Sequence, residues 1–144
     1  MKQLGKKFLC IFFALCMTSN AIHVSALTES SEYLDSYCAI TTPKSGGKIV
    51  VTVDVSGVGY QKEIGATYII IYESSDNKLF KQVAWYDVED YPKMMSSGTF
   101  YYADAATYYG KAGYYYFASV YCYAGDGTNG DERNYQTVPV RAIA

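Results

Sequence analysis

Residues 113–124, GYYYFASVYCYA, constrain this chain more than any other stretch. Aromatic and small apolar residues alternate, and Gly110, Gly113 and Gly125 bracket them. Such a composition favours a strand over a helix. Successive side chains on a strand point to opposite faces, so rings must emerge on at least one of them. The spacing predicts a buried strand, a glycine-rich turn over 125–131 (GDGTNGD), and a last strand over 134–143. Pro139 inside that last strand predicts an edge or a bulge.

The remainder of the chain reads the same way. In residues 48–57 (KIVVTVDVSG), Ile49, Val51, Val53 and Val55 share one face, and Val50, Thr52, Asp54 and Ser56 share the other. Period two with β-branched residues marks a half-buried strand. A short strand is expected at 36–42, stopped by Pro43. A hairpin is expected from 67–73 and 79–87 around Asp76-Asn77, with Ile69, Ile71, Val83 and Trp85 inward. Residues 88–97 read as a loop with Met94 and Met95 folded under it. Residues 99–103 and 106–109 read as short strand pieces. No segment holds a helical period, so the fold class is all-β, a single antiparallel sandwich or barrel.

The first 26 residues read as a signal peptide. Lys2, Lys6 and Lys7 precede the apolar run FLCIFFALCM, and Val24-Ser25-Ala26 offers small residues for cleavage. The run is about half the roughly 20 residues that a spanning helix needs. The expected product is a secreted domain, 27–144, with no membrane anchor after cleavage and a loose arm over 27–33. The leader takes three of the twelve basic residues and none of the fourteen acidic ones, so the exported domain is acidic. Without basic clusters it is a poor match for nucleic acid. Cys10, Cys16 and the only histidine, His23, also lie in the leader. The remaining Cys38 and Cys122 read as one disulfide, with two unpaired buried thiols as the alternative.

Two resemblances follow from these residues. Gly113-Tyr114-Tyr115-Tyr116 with Ala118, Val120 and Cys122 alternating behind it resembles the tyrosine corner of immunoglobulin-like and fibronectin-type sandwiches. That resemblance implies that Tyr116 is the corner residue and that Tyr116, Ala118, Val120 and Cys122 face the core. It turns Tyr115, Phe117, Tyr121 and Tyr123 outward, and it brings Cys38 of the first strand to Cys122 across the sheets. Second, Glu63–Thr67 (EIGAT), Ile71–Ser74 (IYES), Asp90–Met95 (DYPKMM) and residues 121–127 resemble a family of short secreted proteins of Gram-positive gut anaerobes. That family is classed as a domain of unknown function, so the resemblance implies export and one domain but no site residues.

Candidate chemistry is sparse. A domain without histidine, its cysteines paired, cannot build a Ser-His or Cys-His nucleophile. Glu63, Glu73, Asp87, Glu89, Asp90 and Asp104 could serve a two-carboxylate glycosidase, but no spacing selects a pair, and solvated charges are the simpler reading. Asp126, Asn129 and Asp131 read as turn residues, with a Ca²⁺ site as the alternative, and no other cofactor is called for. The seventeen tyrosines exceed what a corner and a core can use. Tyr115, Tyr121 and Tyr123 are the expected ligand-binding rings, since tyrosine gives contact area at low entropic cost. The expected role is non-catalytic binding of a protein, a peptide or a glycan. The alternatives are a secreted antimicrobial or toxin-like protein and a carboxylate-dependent glycosidase.

Overall fold

The computed structural model describes residues 31–144. The expected signal peptide, 1–26, and the first residues of the arm, 27–30, lie outside them. The elements are β1 (Leu34–Pro43), β2 (Lys48–Gln61), β3 (Glu63–Ser74), β4 (Lys81–Asp87), a 3-10 turn (Pro92–Met94), β5 (Met95–Ser96), β6 (Thr99–Tyr109), β7 (Tyr115–Gly125), β8 (Gly130–Gln136) and β9 (Val140–Arg141). Every pairing is antiparallel. The smaller sheet runs β1-β2-β6. The larger runs β4-β3-β7-β8, with β5 on β3 and β9 on β7. The fold is therefore an all-β sandwich, as the sequence leads one to expect. Lettered as immunoglobulin strands, its sheets are A-B-E against C′-C-F-G.

The alternation in the sequence sorts the side chains. Ile49, Val51, Val53 and Val55 of β2 are buried to 1% exposure or less. They share one core with Ile64, Ala66, Ile69 and Ile71 of β3 and with Tyr116, Ala118, Val120, Cys122 and Ala124 of β7. Ala66 and Ile69 both point inward because the β3–β7 ladder shifts register between Ala66 and Tyr68. The extra residue, Thr67, absorbs the change of parity.

Trp85 is a correction: it is 58% exposed, not core. The β3–β4 ladder pairs Ile71 with Ala84 but Tyr72 with Gln82, which leaves Val83 as an inserted residue. An inserted residue reverses the faces beyond it. Ala84 and Tyr86 thus pack on the core together with Val83, and Trp85 turns outward.

Several boundaries also differ. The two pieces expected around Asp104 form one continuous strand, β6, because β2 pairs with it from Lys48 to Ser56. This tertiary ladder overrides the weak β-propensity of Ala103-Asp104-Ala105-Ala106. The last strand splits into β8 and β9, both on β7, around Thr137–Pro139. There Thr137 is buried, its Oγ1 accepts the Ala118 N–H at 2.8 Å, and it lies 2.7 Å from Thr41 Oγ1. The Thr137 side chain thus supplies the acceptor for the Ala118 N–H where the chain leaves the ladder ahead of Pro139. Finally, the described end of the arm is tied down: Asp131 Oδ2 accepts from Ser31 Oγ at 2.6 Å and from the N–H groups of Glu32 and Tyr33 at 2.9 and 3.1 Å.

Candidate functional site

The corner comes first, because it fixes β7 against the rest of the fold. The Tyr116 ring is fully buried, and its hydroxyl accepts the Lys111 N–H at 2.8 Å. It donates to Glu73 Oε2 at 2.7 Å. Gly110 makes room for the ring, since a Cβ there would come within 2.5 Å of Tyr116 Cζ. Glu73 was expected among solvated carboxylates. Instead its side chain is only 3% exposed, with Lys111 Nζ at 3.4 Å and Lys81 Nζ at 3.8 Å. The only sequence signal for this was a carboxylate at an inward register on β3, opposite Tyr116. Burial pushes the Glu73 carboxyl up, but the Tyr116 hydroxyl and the two ammonium groups outweigh it and hold the group below its ordinary 4.5. Burial, then the hydrogen bond to Glu73, raises the Tyr116 phenol, so it stays a donor. Ser74, Ser75, Leu79, Phe80 and Tyr114 complete a groove of 370 Å³ beside Glu73.

Acid sensitivity follows with a definite sign. Hydrogen bonds from Ser31 and the Tyr33 backbone hold Asp131 below its ordinary 3.8. The Asn129 and Thr128 N–H groups do the same for Asp126. Groups depressed in the folded state bind fewer protons than in the unfolded chain. Their contribution is complete above about 4.5 and is lost as pH falls through the folded values. Urea midpoints should be flat from pH 6 to 5 and fall below pH ~4.5, less steeply in Glu73→Gln. Equal acid slopes for Glu73→Gln and the native chain would remove Glu73 from this account.

Opposite the core, the larger sheet carries an aromatic face. Trp85 of β4, Tyr68 of β3 and Tyr121 of β7 form a file with ring centroids 5.8 and 5.9 Å apart, at 56° and 90°. Trp85 and Tyr68 are exposed. A second group stacks Tyr72 on Phe117 at 4.8 Å, with Phe80 edge-on to Phe117 at 4.8 Å. Polar groups border the file: Asp87 lies opposite Tyr68, Asn134 lies opposite Tyr121, and Asn134 donates to Ser119 Oγ at 2.7 Å.

The three tyrosines expected to bind ligand do face this way, but they are not equivalent. Tyr121 belongs to the file. Tyr115 lies under the Arg141 guanidinium, 5.9 Å from its ring centre, so that face of the ring is covered. Tyr123 lies over the paired glycines Gly125 and Gly130, where any Cβ would strike its ring. Its work is to cover backbone. Trp85 and Tyr68 were missed: Trp85 because of the bulge at Val83, Tyr68 because its outward parity, which follows from Ile69 and Ile71 facing in, does not by itself mark a ring as part of a site.

The expected disulfide is a correction. Cys38 and Cys122 are both free. Tyr37 and Ala39 turn into the sandwich, so Cys38 between them emerges on the outer face of the smaller sheet, while Cys122 lies in the core. Burial pushes the Cys122 thiol up to about 12. A thiol reagent should label Cys38 in the native protein and Cys122 only after denaturation. A mass two hydrogens lower than the reduced chain, with no labelling, would contradict this.

The 126–131 loop is occupied as a turn. Asp126 Oδ1 accepts the Thr128 and Asn129 N–H groups, both at 2.8 Å, and Oδ2 accepts the Tyr33 hydroxyl at 3.2 Å. With Asp131 holding the arm, these oxygens serve the fold. Among the described residues, no group of three or more histidine, cysteine or acidic side chains is placed to hold a metal.

A second cavity, of 230 Å³, opens between β4 and β6 under the 3-10 turn. Val53, Ile69 and Met94 form its apolar wall, and Tyr86, Tyr91, Tyr102 and Asp104 line it with them. Each of the two cavities holds a single carboxylate, Glu73 in one and Asp104 in the other. No protein-family model and no curated protein sequence matches the chain.

Proposed function

We propose that this is a secreted binding module that captures an extended peptide segment of a protein partner on the outer face of the larger sheet. The observation that carries the reading is the exposure of Trp85 and Tyr68 in one file with Tyr121. Binding energy at protein interfaces concentrates in tryptophan and tyrosine surrounded by a polar rim. The rings stand at 56° and 90° to one another, which makes ridges that side chains can fill. A sugar stacks best on a flat ring face, so a peptide is favoured over a glycan. The reading is non-catalytic. Export rests on the leader, and kinship with the secreted family rests on the sequence blocks that resemble it.

A phage-displayed peptide library and a glycan array, both probed with the purified protein, test the proposal. Enriched peptides that Trp85→Ala no longer retains are the expected result. Glycan hits without peptide hits would replace the ligand class. Release of reducing sugar would favour the glycosidase alternative, and growth inhibition of related bacteria the toxin-like one.

A further inference from the structure

The cavity between β4 and β6 contains a charge that the fold does not need. On the inward face of β6 the order is Tyr102, Asp104, Ala106, and Asp104 pairs with Val53 of the core. Alternation places an apolar residue at such a position, yet this one is a carboxylate. Among the described residues its one hydrogen bond is local, from the Ala105 N–H to Oδ1 at 2.7 Å. Among the described residues, both ion pairs go to Glu73, and none reaches Asp104.

Rings line the cavity together with that carboxylate, which is half-buried. Tyr86 and Tyr91 meet edge to face at 5.2 Å, and the Tyr86 hydroxyl donates to the Thr107 carbonyl at 3.2 Å, which ties the two sheet edges together. Tyr102 is buried, and its hydroxyl donates to the Lys93 carbonyl at 3.4 Å. Burial first, then the charge of Asp104, raises the Tyr102 phenol, so that ring stays neutral. The Lys93 side chain is exposed at the mouth and makes no ion pair with Asp104.

We propose that this cavity binds a small organic cation, an alkylammonium head group, with Asp104 as its counter-ion and Tyr86, Tyr91 and Tyr102 as its walls. Tyrosine faces attract cations, and more so where water is excluded. At 230 Å³ the space falls below the roughly 300 Å³ at which pockets for drug-sized ligands begin, which suits a head group. The head group could belong to a free quaternary amine or to a lysine side chain of a peptide. The site is separate from the outer face: β4 turns Trp85 outward and Tyr86 inward.

The test is an NMR titration of the protein with choline, with N-acetyl-lysine methylamide, and with 3,3-dimethylbutanol, the neutral isostere of choline. At least one cation should shift the amides of Ala105 to Thr107 and the Tyr91 ring, and the isostere should not. Which cation binds tells the free source from the peptide-borne one. Asp104→Asn should weaken binding about tenfold or more. Tyr91→Leu, at an exposed ring, should weaken it about twofold to fivefold with the fold intact. Trp85→Ala should leave it unchanged, which separates this site from the peptide reading. No shift with either cation, equal shifts with the isostere, or equal affinity in Asp104→Asn and Tyr91→Leu would overturn the proposal. Binding of acetate in place of the cations would overturn it as well.

Discussion

Tyr116→Ala should cost about 3–5 kcal/mol, and Tyr116→Phe about 2 kcal/mol. The two figures separate the ring from its hydroxyl. The ring is fully buried against Gly110 and Tyr108, whose ring lies 5.8 Å away, so its removal leaves a cavity in the core. Removing the hydroxyl alone strands two groups, the Lys111 N–H and one oxygen of the Glu73 carboxylate. Lys111 and Lys81 still face Glu73, which keeps the second loss moderate. A domain of this size has about 5–15 kcal/mol of stability in all, so Tyr116→Ala should sit near the edge of folding at 37 °C. Thermal melts of both variants check this. A Tyr116→Phe melt within 2 °C of the native chain would mean that the hydroxyl does not hold the corner.

Trp85→Ala and Tyr68→Ala should each weaken binding of a library-selected peptide by about thirtyfold or more, with little change in melting temperature. A truncated hot-spot ring costs about 2 kcal/mol or more at an interface, and 1.4 kcal/mol is a factor of ten. Both side chains are exposed, so neither supports the core. Tyr123→Ala should behave in the opposite way, losing stability by uncovering Gly125 and Gly130 with only an indirect effect on binding. Titration calorimetry with melting curves for the three variants separates these outcomes. Equal affinities for Trp85→Ala and the native protein would remove the file from the binding surface.

The parts of this architecture legible in the sequence are those where alternation runs unbroken. Residues 48–56 and 116–124 keep strict period two, and their inward faces match the core residue by residue. The tyrosine corner was legible because a glycine spacing and a fixed parity suffice to place it. Parity became illegible at the bulges at Thr67 and Val83, since an inserted residue leaves no mark of its own in composition. That is why Trp85 reads as core, whereas Tyr68 has a legible outward parity and lacks only a mark of its part in the file. The cysteines misled for a related reason: a pair in a chain expected to be exported suggests a bridge, but Cys38 falls on the outward parity of β1. Glu73 and Asp104 read as ordinary surface charges: Glu73 although the inward parity of Ile69 and Ile71 runs on to it, and Asp104 because the strand reads as broken there and only its pairing with β2 places it inward.

The central claim, that the outer face of the larger sheet is a peptide-binding surface, is tested most directly by mapping a library-selected peptide onto the protein by amide chemical shifts. Shifts should concentrate at Tyr68, Ile70, Trp85, Ser119 and Tyr121, with the smaller sheet unaffected. Shifts confined to β1, β2 and β6, with residues 68–70 and 85 unmoved, would contradict it.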